Sequence, residues 1–158
     1  PNQFSFEQFA TLLSGRLPAV RWRMATRSAQ ASASDRAVPA EGLSGLLWGG
    51  NLSMLAAAVG TPWLPDIDGG LLFIEDVAEH PYRLERMLHQ LFHAGVLARQ
   101  RALILGDFTG WKLASHDRGY GLEAMVDYWC SRLSVPVITG LPFGHSPAKA
   151  VLGVGQRG

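Results

Sequence analysis

The sequence is poor in cysteine, in long apolar runs and in net charge, and each shortage excludes a class of protein. Cys130 is the only cysteine, so the chain cannot form an internal disulfide, which fits a reducing compartment. No apolar run approaches the ~20 residues needed to span a bilayer. The 14 basic residues nearly balance 13 acidic ones, so a net charge of +1 provides no electrostatic basis for binding nucleic acid or an anionic membrane.

The N-terminal end lacks two further signals. The chain opens with Pro1 rather than methionine, which predicts a processed or truncated piece of something longer. It also has no basic segment followed by an apolar one, so we expect no secretory signal peptide.

What is present predicts a folded domain. Hydrophobic residues make up 47% of the 158 residues and charged residues 17%, enough for one domain with a real core. The segment FSFEQFATLLSG predicts a short amphipathic helix with Phe6, Phe9, Leu12 and Leu13 on one stripe and Gly15 at its end. AVRWRMATR alternates as a half-buried strand does, and SAQASASDRAVPAEG is typical of a loop.

From about residue 41 the chain alternates apolar runs with amphipathic segments. Buried strands are predicted in GLLWGGN, GLLFIED, RALILGDF and VPVITGLPFGH, and a final short strand in AVLGVGQRG. Helices are predicted in NLSMLAAAVG with Asn51 as its N-cap, after Pro81, and in GYGLEAMVDYWCSRL. Strands alternating with helices predict a layered α/β domain with a partly parallel sheet and flanking helices.

Two histidines raise the possibility of a zinc site. His89 and His93 are spaced i and i+4, so they share one helix face, as in H-E-x-x-H. Gln90 takes the place of the catalytic glutamate and cannot act as a base. Both histidines also lie at the polar edge of the apolar stripe, so we interpret them as surface residues and expect no metal.

Two other motifs resemble known site motifs. GHSPA is close to the G-x-S-x-G nucleophile elbow, but Pro147 removes the backbone N–H that helps build an oxyanion hole, which argues against Ser146 as a nucleophile. The Gly49–Gly50 pair stands between a strand and a helix, where backbone amides can bind an anion. The full nucleotide-binding pattern is absent, so a tight turn is the simpler interpretation.

Glu75 and His145 occupy matching places in the chain. Each follows an apolar strand, and if these two strands are parallel neighbours, both residues come out at the same edge of the sheet, where sites collect. A carboxylate bonded to a histidine fixes its tautomer and supports a general base. The alternatives are that Glu75 is a helix-start acid or forms a salt bridge near Arg83 or Arg86, and that His145 is an ordinary turn residue.

A family resemblance favours the paired interpretation. The segments that carry it, in order from about Glu41 to His145, are LLWGGNLSML, GTPWLP, GGLLFIEDVAEHPYRLERMLHQL, AGVL, LILGDF and ITGLPFGH. Together they resemble the LD-carboxypeptidases, the serine peptidase family that contains muramoyl-tetrapeptide carboxypeptidase and microcin-immunity peptidases. The resemblance implies a Ser–His–Glu triad in which Glu75 is the glutamate and His145 the histidine.

The resemblance also indicates what these residues lack. The family's serine lies in a preceding α/β domain, in a G-x-S-D elbow that does not occur here; Ser34–Asp35 stands in a loop with no buried strand before it. Residues 1–40 are therefore expected to be a connecting helix, strand and loop, and residues 41–158 the C-terminal domain, swivelling-domain-like. We expect the chain alone to be inactive.

For the complete enzyme the resemblance implies removal of terminal D-alanine from murein tetrapeptides during cytoplasmic peptidoglycan recycling, with no metal or organic cofactor. Trp48, Asn51 and Arg83 are candidates for shaping the substrate cleft. Expected partners are the muropeptide, the missing nucleophile domain and a second copy in a homodimer, with no nucleic acid or membrane. The alternative is a non-catalytic muropeptide-binding or dimerisation domain derived from the same fold.

Overall fold

The computed structural model describes residues 2–16, 20–21 and 42–157. Strands and helices alternate through most of this part of the chain. In chain order the elements are α1 (Gln3–Leu13), β1 (Leu47–Asn51), α2 (Leu52–Ala58), β2 (Leu71–Val77), α3 (Pro81–His93), β3 (Ala102–Thr109), α4 (Leu122–Arg132) and β4 (Val137–Ile138), with short 3-10 turns at Leu97–Arg99 and Ser115–Asp117.

The four strands form one sheet in the order β1-β2-β3-β4, and all neighbouring pairs are parallel. The predicted α/β class is confirmed, and the sheet is parallel across all the strands described rather than only in part. Because every strand runs the same way, the carboxyl ends of β1, β2 and β3 lie along one edge of the sheet. That edge receives Asn51, Glu75 and the residues that follow β3.

Local chemistry explains where the helices begin. The Asn51 side chain accepts a hydrogen bond from the Met54 N–H and so caps α2 as predicted. Pro81 occupies the first turn of α3, where its missing N–H costs nothing, again as predicted. The His80 ring stands before it as the N-cap.

Alternation along β2 divides the core between two faces of the sheet. Leu72 and Ile74 pack on the face covered by α2, α3 and α4, in a cluster that also includes Trp129. Leu71 and Phe73 point to the other face, where they pack with β3, Leu141 and partly buried residues from the loops. Helices therefore cover one face, and irregular chain from both ends of the domain covers part of the other.

Two of the predicted strands differ from the structure. The strand predicted in AVLGVGQRG is wrong: residues 150–157 are irregular, with a turn at Val154–Gly155, where Gly155 has φ 83°, and an isolated bridge from Arg157 to Leu46. The strand predicted in VPVITGLPFGH is reduced to β4, and the rest is an irregular segment. The strand and loop predicted for residues 19–42 lie outside the described residues apart from 20, 21 and 42, which are not in a strand.

Within the described ranges, no helix is both long and apolar enough to cross a membrane.

Candidate active site

Glu75 stands at the carboxyl end of β2, opposite a bulge in β3. Ile74 pairs with Leu105 and Asp76 pairs with Phe108, so Gly106 and Asp107 together face the single residue Glu75. An extra residue of this kind bends its strand and redirects side chains, and bulges are enriched beside active sites. The irregularity therefore falls where the carboxylate leaves the sheet.

The Glu75 carboxylate is buried but has partners on both oxygens. Glu75 is 5% exposed. Its Oε2 lies 2.9 Å from His145 Nδ1, and its Oε1 accepts a hydrogen bond of 3.3 Å from Asn51 Nδ2. Burying a carboxylate is costly unless it is hydrogen-bonded, so these two contacts are what allow Glu75 to occupy this position.

His145 is exposed on the side that faces away from Glu75. Its side chain is 57% exposed, against 6% for the side chain of Glu75. An ionised carboxylate can only accept, so with Glu75 ionised the Nδ1 atom carries the proton that makes this bond. The neutral ring then has an unprotonated Nε2, and this nitrogen is the one able to take a proton from a substrate or a nucleophile.

Glycines allow the turn that carries His145 to approach β3 closely. A Cβ on Gly106 would lie 2.4 Å from the Phe143 carbonyl oxygen, and one on Gly144 would lie 3.3 Å from Glu75 Oε2. Gly144 also has φ 138°, which side-chain-bearing residues rarely adopt. The motif L-P-F-G-H thus encodes a backbone contact that larger residues would prevent.

Asp76, the second acid of the pair that ends β2, has a structural task. Its oxygens accept from Ser53 N at 2.9 Å, from Ser53 Oγ at 2.7 Å, from Asn51 Nδ2 at 3.0 Å and from Val77 N at 2.8 Å. It therefore ties the start of α2 to the end of β2. Since Asp76 positions Asn51 while Asn51 contacts Glu75, the two acids are linked through one amide.

A cleft of about 500 Å³ opens beside the pair. Its wall is largely apolar, and Lys149 adds a basic residue to the rim. The residues that line it are Ser5, Glu75, Phe143, Gly144, His145, Lys149, Ala150, Val151, Leu152 and Val154. A concave apolar surface with a few convergent polar groups is the usual form of a ligand site.

The structure separates the three predicted cleft candidates. Asn51 lies at the site and contacts Glu75. Trp48 is 4% exposed and its Nε1 donates to Gln100 Oε1 at 2.8 Å, so it packs in the core and not along the cleft beside Glu75; a role in the substrate cleft stays a prediction. Arg83 lies on α3 and pairs with Glu79 at 3.4 Å, so the alternative salt bridge from Arg83 to Glu75 is not what forms.

The residues of the remaining motifs make contacts within the domain. His89 and His93 stack with ring centroids 5.7 Å apart, and no cluster of three metal-ligating side chains occurs in the part of the chain that is described. The Ser146 hydroxyl lies 2.6 Å from Asp107 Oδ2. Gly49 is required for strand packing, since a Cβ there would lie 1.9 Å from the Phe73 carbonyl oxygen.

Asp107 is the site residue that the sequence analysis did not identify. It ends the buried run of LILGDF much as Glu75 ends that of LLFIED, and this parallel was the available signal. Its importance depends on the bulge, which local patterns do not reveal.

The described residues thus form a parallel α/β sheet with a carboxylate–histidine pair beside a cleft at its carboxyl edge. Residues 44–158 match the family described as the LD-carboxypeptidase C-terminal domain. The chain therefore belongs to the LD-carboxypeptidase family and contains its C-terminal domain.

Individual relatives agree with this assignment. The chain is 38% identical over 108 residues to a probable murein peptide carboxypeptidase of Bacillus subtilis, covering 68% of this chain and 34% of the relative. It is 36% identical over 104 residues to the murein tetrapeptide carboxypeptidase of Pseudomonas aeruginosa, covering 65% of this chain and 33% of the relative.

A solved structure gives the same result. The crystal structure of muramoyltetrapeptide carboxypeptidase from Oxalobacter formigenes superposes with a TM-score of 0.71 at 58% sequence identity, covering 73% of this chain and 40% of that one. The chain thus spans roughly a third of the length of the two curated relatives, at 34% and 33%.

Proposed function

We propose that this chain supplies the general base and its carboxylate partner to a serine LD-carboxypeptidase, with the nucleophilic serine provided by polypeptide outside the 158 residues. The observation that carries the proposal is the 2.9 Å hydrogen bond between buried Glu75 and exposed His145, at an edge that is open to a cleft. Residues 1–40 then serve as the connection, and residues 41–158 as the domain that carries the pair.

The geometry supports a definite division of labour. His145 Nε2 takes the proton of the serine hydroxyl as the serine oxygen attacks the carbonyl before the terminal D-alanine. The same nitrogen then returns the proton to the leaving amine, and a water molecule hydrolyses the acyl-enzyme through the same base. Glu75 remains ionised, holds Nδ1–H and stabilises the imidazolium, and Asn51 keeps its second oxygen in place.

Two relatives support the choice of substrate, since their names specify murein tetrapeptide and muramoyltetrapeptide. The bond cleaved is the one between an L-centre diamino acid and D-alanine, in cytoplasmic peptidoglycan recycling. The reaction uses no metal or organic cofactor. The complete enzyme is expected to form a homodimer.

The test compares two proteins on one substrate. The complete enzyme, in which the nucleophile domain precedes this chain, is incubated with a murein tetrapeptide, and D-alanine and the tripeptide are measured by mass spectrometry. We expect equimolar release by the complete enzyme and none by the 158-residue chain. Release by the chain alone would contradict an external serine. Binding of tetrapeptide by the complete enzyme without any release would favour the muropeptide-binding alternative instead.

A further inference from the structure

His145 stands on a segment that has little regular structure to hold it. β4 ends at Ile138, and the chain then runs through an irregular stretch to His145. The His145 side chain is 57% exposed, and its hydrogen bond to Glu75 is the contact that locates the ring. One hydrogen bond leaves an exposed loop side chain with considerable freedom, so the backbone on either side of His145 must be fixed by other means.

Asp107 contacts the chain on both sides of His145. On the N-terminal side, the Asp107 N–H donates to the Phe143 carbonyl oxygen at 2.7 Å. On the C-terminal side, the Ser146 hydroxyl donates to Asp107 Oδ2 at 2.6 Å. A single residue of β3 therefore holds the residue two places before His145 with its main chain and the residue directly after it with its side chain.

The Ser146 hydroxyl has one proton and two candidate acceptors. The Ala148 carbonyl oxygen is 3.2 Å away, while the Asp107 carboxylate is 2.6 Å away and charged. A short hydrogen bond to an ionised acceptor is about twice as strong as one between neutral groups, so the proton belongs to the bond with Asp107. Pro147 adds rigidity, since it restricts Ser146 to extended conformations.

The bulge in β3 is what makes this double contact possible. Gly106 and Asp107 face Glu75 as a pair, so the register shift brings Asp107 to the turn while leaving Glu75 in the sheet. Gly144 is packed against Asp107, because a Cβ there would lie 3.0 Å from the Asp107 carbonyl oxygen. The bulge that lies opposite Glu75 therefore also brings Asp107 into contact with the turn that carries His145.

We infer that Asp107 and Ser146 form a latch that positions His145 for proton transfer. Asp107 and Ser146 are positioning residues: they act through His145 and touch no reacting atom. The inference rests on the proposed function, in which His145 is the general base. Without the latch, the Nε2 atom would sample positions away from the serine, and misplacement by about 1 Å can cost roughly 100-fold in rate.

The first test uses the 158-residue chain and does not depend on activity. The Nδ1–H proton of His145 is followed by NMR, with Glu75→Gln used to assign it. We expect Ser146→Ala to broaden or abolish this signal and Ser146→Thr, which keeps the hydroxyl, to restore it. Ser131→Ala is the matched control, since Ser131 Oγ makes an exposed bond to the Tyr128 carbonyl oxygen within α4. An unchanged signal in Ser146→Ala would overturn the latch.

The second test measures turnover of the complete enzyme on the murein tetrapeptide. We expect Ser146→Ala to lower kcat by about 10- to 100-fold with little change in KM, and Ser146→Thr to recover most of the loss. Asp107→Asn keeps an acceptor but removes the charge, so it should lose less than Ser146→Ala. If Asp107→Asn were severe and Ser146→Ala harmless, Asp107 would act through its charge and the latch would be wrong.

The two proposals fail in different ways. Normal turnover in Glu75→Gln contradicts the triad, whatever Ser146 does. Loss of turnover in Glu75→Gln together with normal kcat in Ser146→Ala contradicts the latch alone. Thermal unfolding of each variant identifies any loss of turnover that is due to unfolding.

Discussion

Among the carboxylate–histidine pairs of the described residues, the two shortest have nearly equal length but very different surroundings. Glu75 and His145 are joined at 2.9 Å, and Asp117 and His80 at 3.0 Å. Both carboxylates are buried, with side chains 6% and 7% exposed. The histidines differ: the His145 side chain is 57% exposed, and that of His80 is 17% exposed.

The two histidines also differ in how their ring nitrogens are bonded. His80 uses Nε2 for Asp117, and its Nδ1 faces the Tyr82 N–H that begins α3, at a long 3.5 Å. Its ring is also enclosed by Tyr82 and Trp111, with centroids 4.6 Å and 5.8 Å away. Among the described residues His145 is bonded only through Nδ1, so Nε2 remains available. A carboxylate–histidine contact is therefore not in itself a site, and the second nitrogen decides whether it can perform chemistry.

The pair of Asp117 and His80 has a structural role, which the neighbouring contacts of Asp117 define. Asp117 Oδ2 also accepts from the Ala114 N–H at 2.7 Å. It thus ties the turn at Ser115–Asp117 to the start of α3 through His80. The pair joins the connection between β3 and α4 to the rest of the domain, in the way that the Asp107 latch is proposed to hold the turn with His145.

The largest expected effect on turnover comes from replacing His145, the histidine with an available Nε2. We expect His145→Gln to lower kcat of the complete enzyme by about 10⁴-fold, because Gln cannot accept the proton of the serine. His80→Gln is the matched control and should stay within a few-fold of the parent enzyme. D-alanine release under saturating tetrapeptide measures both. Equal losses in the two variants would remove the distinction between the pairs.

A smaller effect is expected from breaking the buried hydrogen bond between Trp48 and Gln100. Trp48→Phe removes the donor to Gln100 Oε1 in the core, which leaves a buried acceptor unpaired and should cost about 1–3 kcal/mol in the free energy of unfolding. Turnover should be unchanged, since Trp48 does not line the cleft described beside Glu75 and His145. Urea unfolding of the 158-residue chain measures the loss. A change in KM without a change in stability would return Trp48 to the cleft.

The smallest expected effect is a pH-dependent loss of thermal stability when Asp117 is replaced. The Ala114 N–H, and after it His80, lower the pKa of the Asp117 carboxyl below its ordinary value. A lowered pKa stabilises the fold at pH values above the unfolded-state pKa of about 3.9. This contribution to stability is lost as the pH falls through the lower folded-state pKa. Asp117→Asn should therefore lower the thermal midpoint at pH 7. At strongly acidic pH the variant and the parent should have the same midpoint.

The control for this prediction is Asp68→Asn, since the Asp68 side chain is 79% exposed. A deficit in Asp117→Asn that is the same at pH 7 and at strongly acidic pH would contradict the linkage.

The sequence predicted the parts of the fold that depend on local chemistry. The uninterrupted apolar run Leu71–Ile74 predicted a buried strand, and Pro81 predicted the start of the next helix. Glu75 and His145 meet at one edge of the sheet as expected, although β2 and β4 are not the neighbours that the expectation assumed, since β3 lies between them. Their catalytic role remains a prediction.

What could not be predicted depends on contacts between distant segments. The bulge opposite Glu75, the contact of Gly144 with Asp107 and the reduction of the last predicted strand to irregular chain all arise from backbone approach across the sheet. The hydrogen bond between Trp48 and Gln100, which lies 52 residues further along the chain, likewise could not be read from the sequence. These contacts leave no periodic pattern in the sequence.

The most direct test of the central claim compares Glu75→Gln with Asp117→Asn in the complete enzyme. Both changes replace a buried, histidine-bonded carboxylate with its amide, so they are matched in chemistry. The measurement is kcat/KM for D-alanine release from the murein tetrapeptide. We expect a loss of about 10⁴-fold in Glu75→Gln and less than a few-fold in Asp117→Asn. Near-normal turnover in Glu75→Gln, with D-alanine still released, would contradict the central claim.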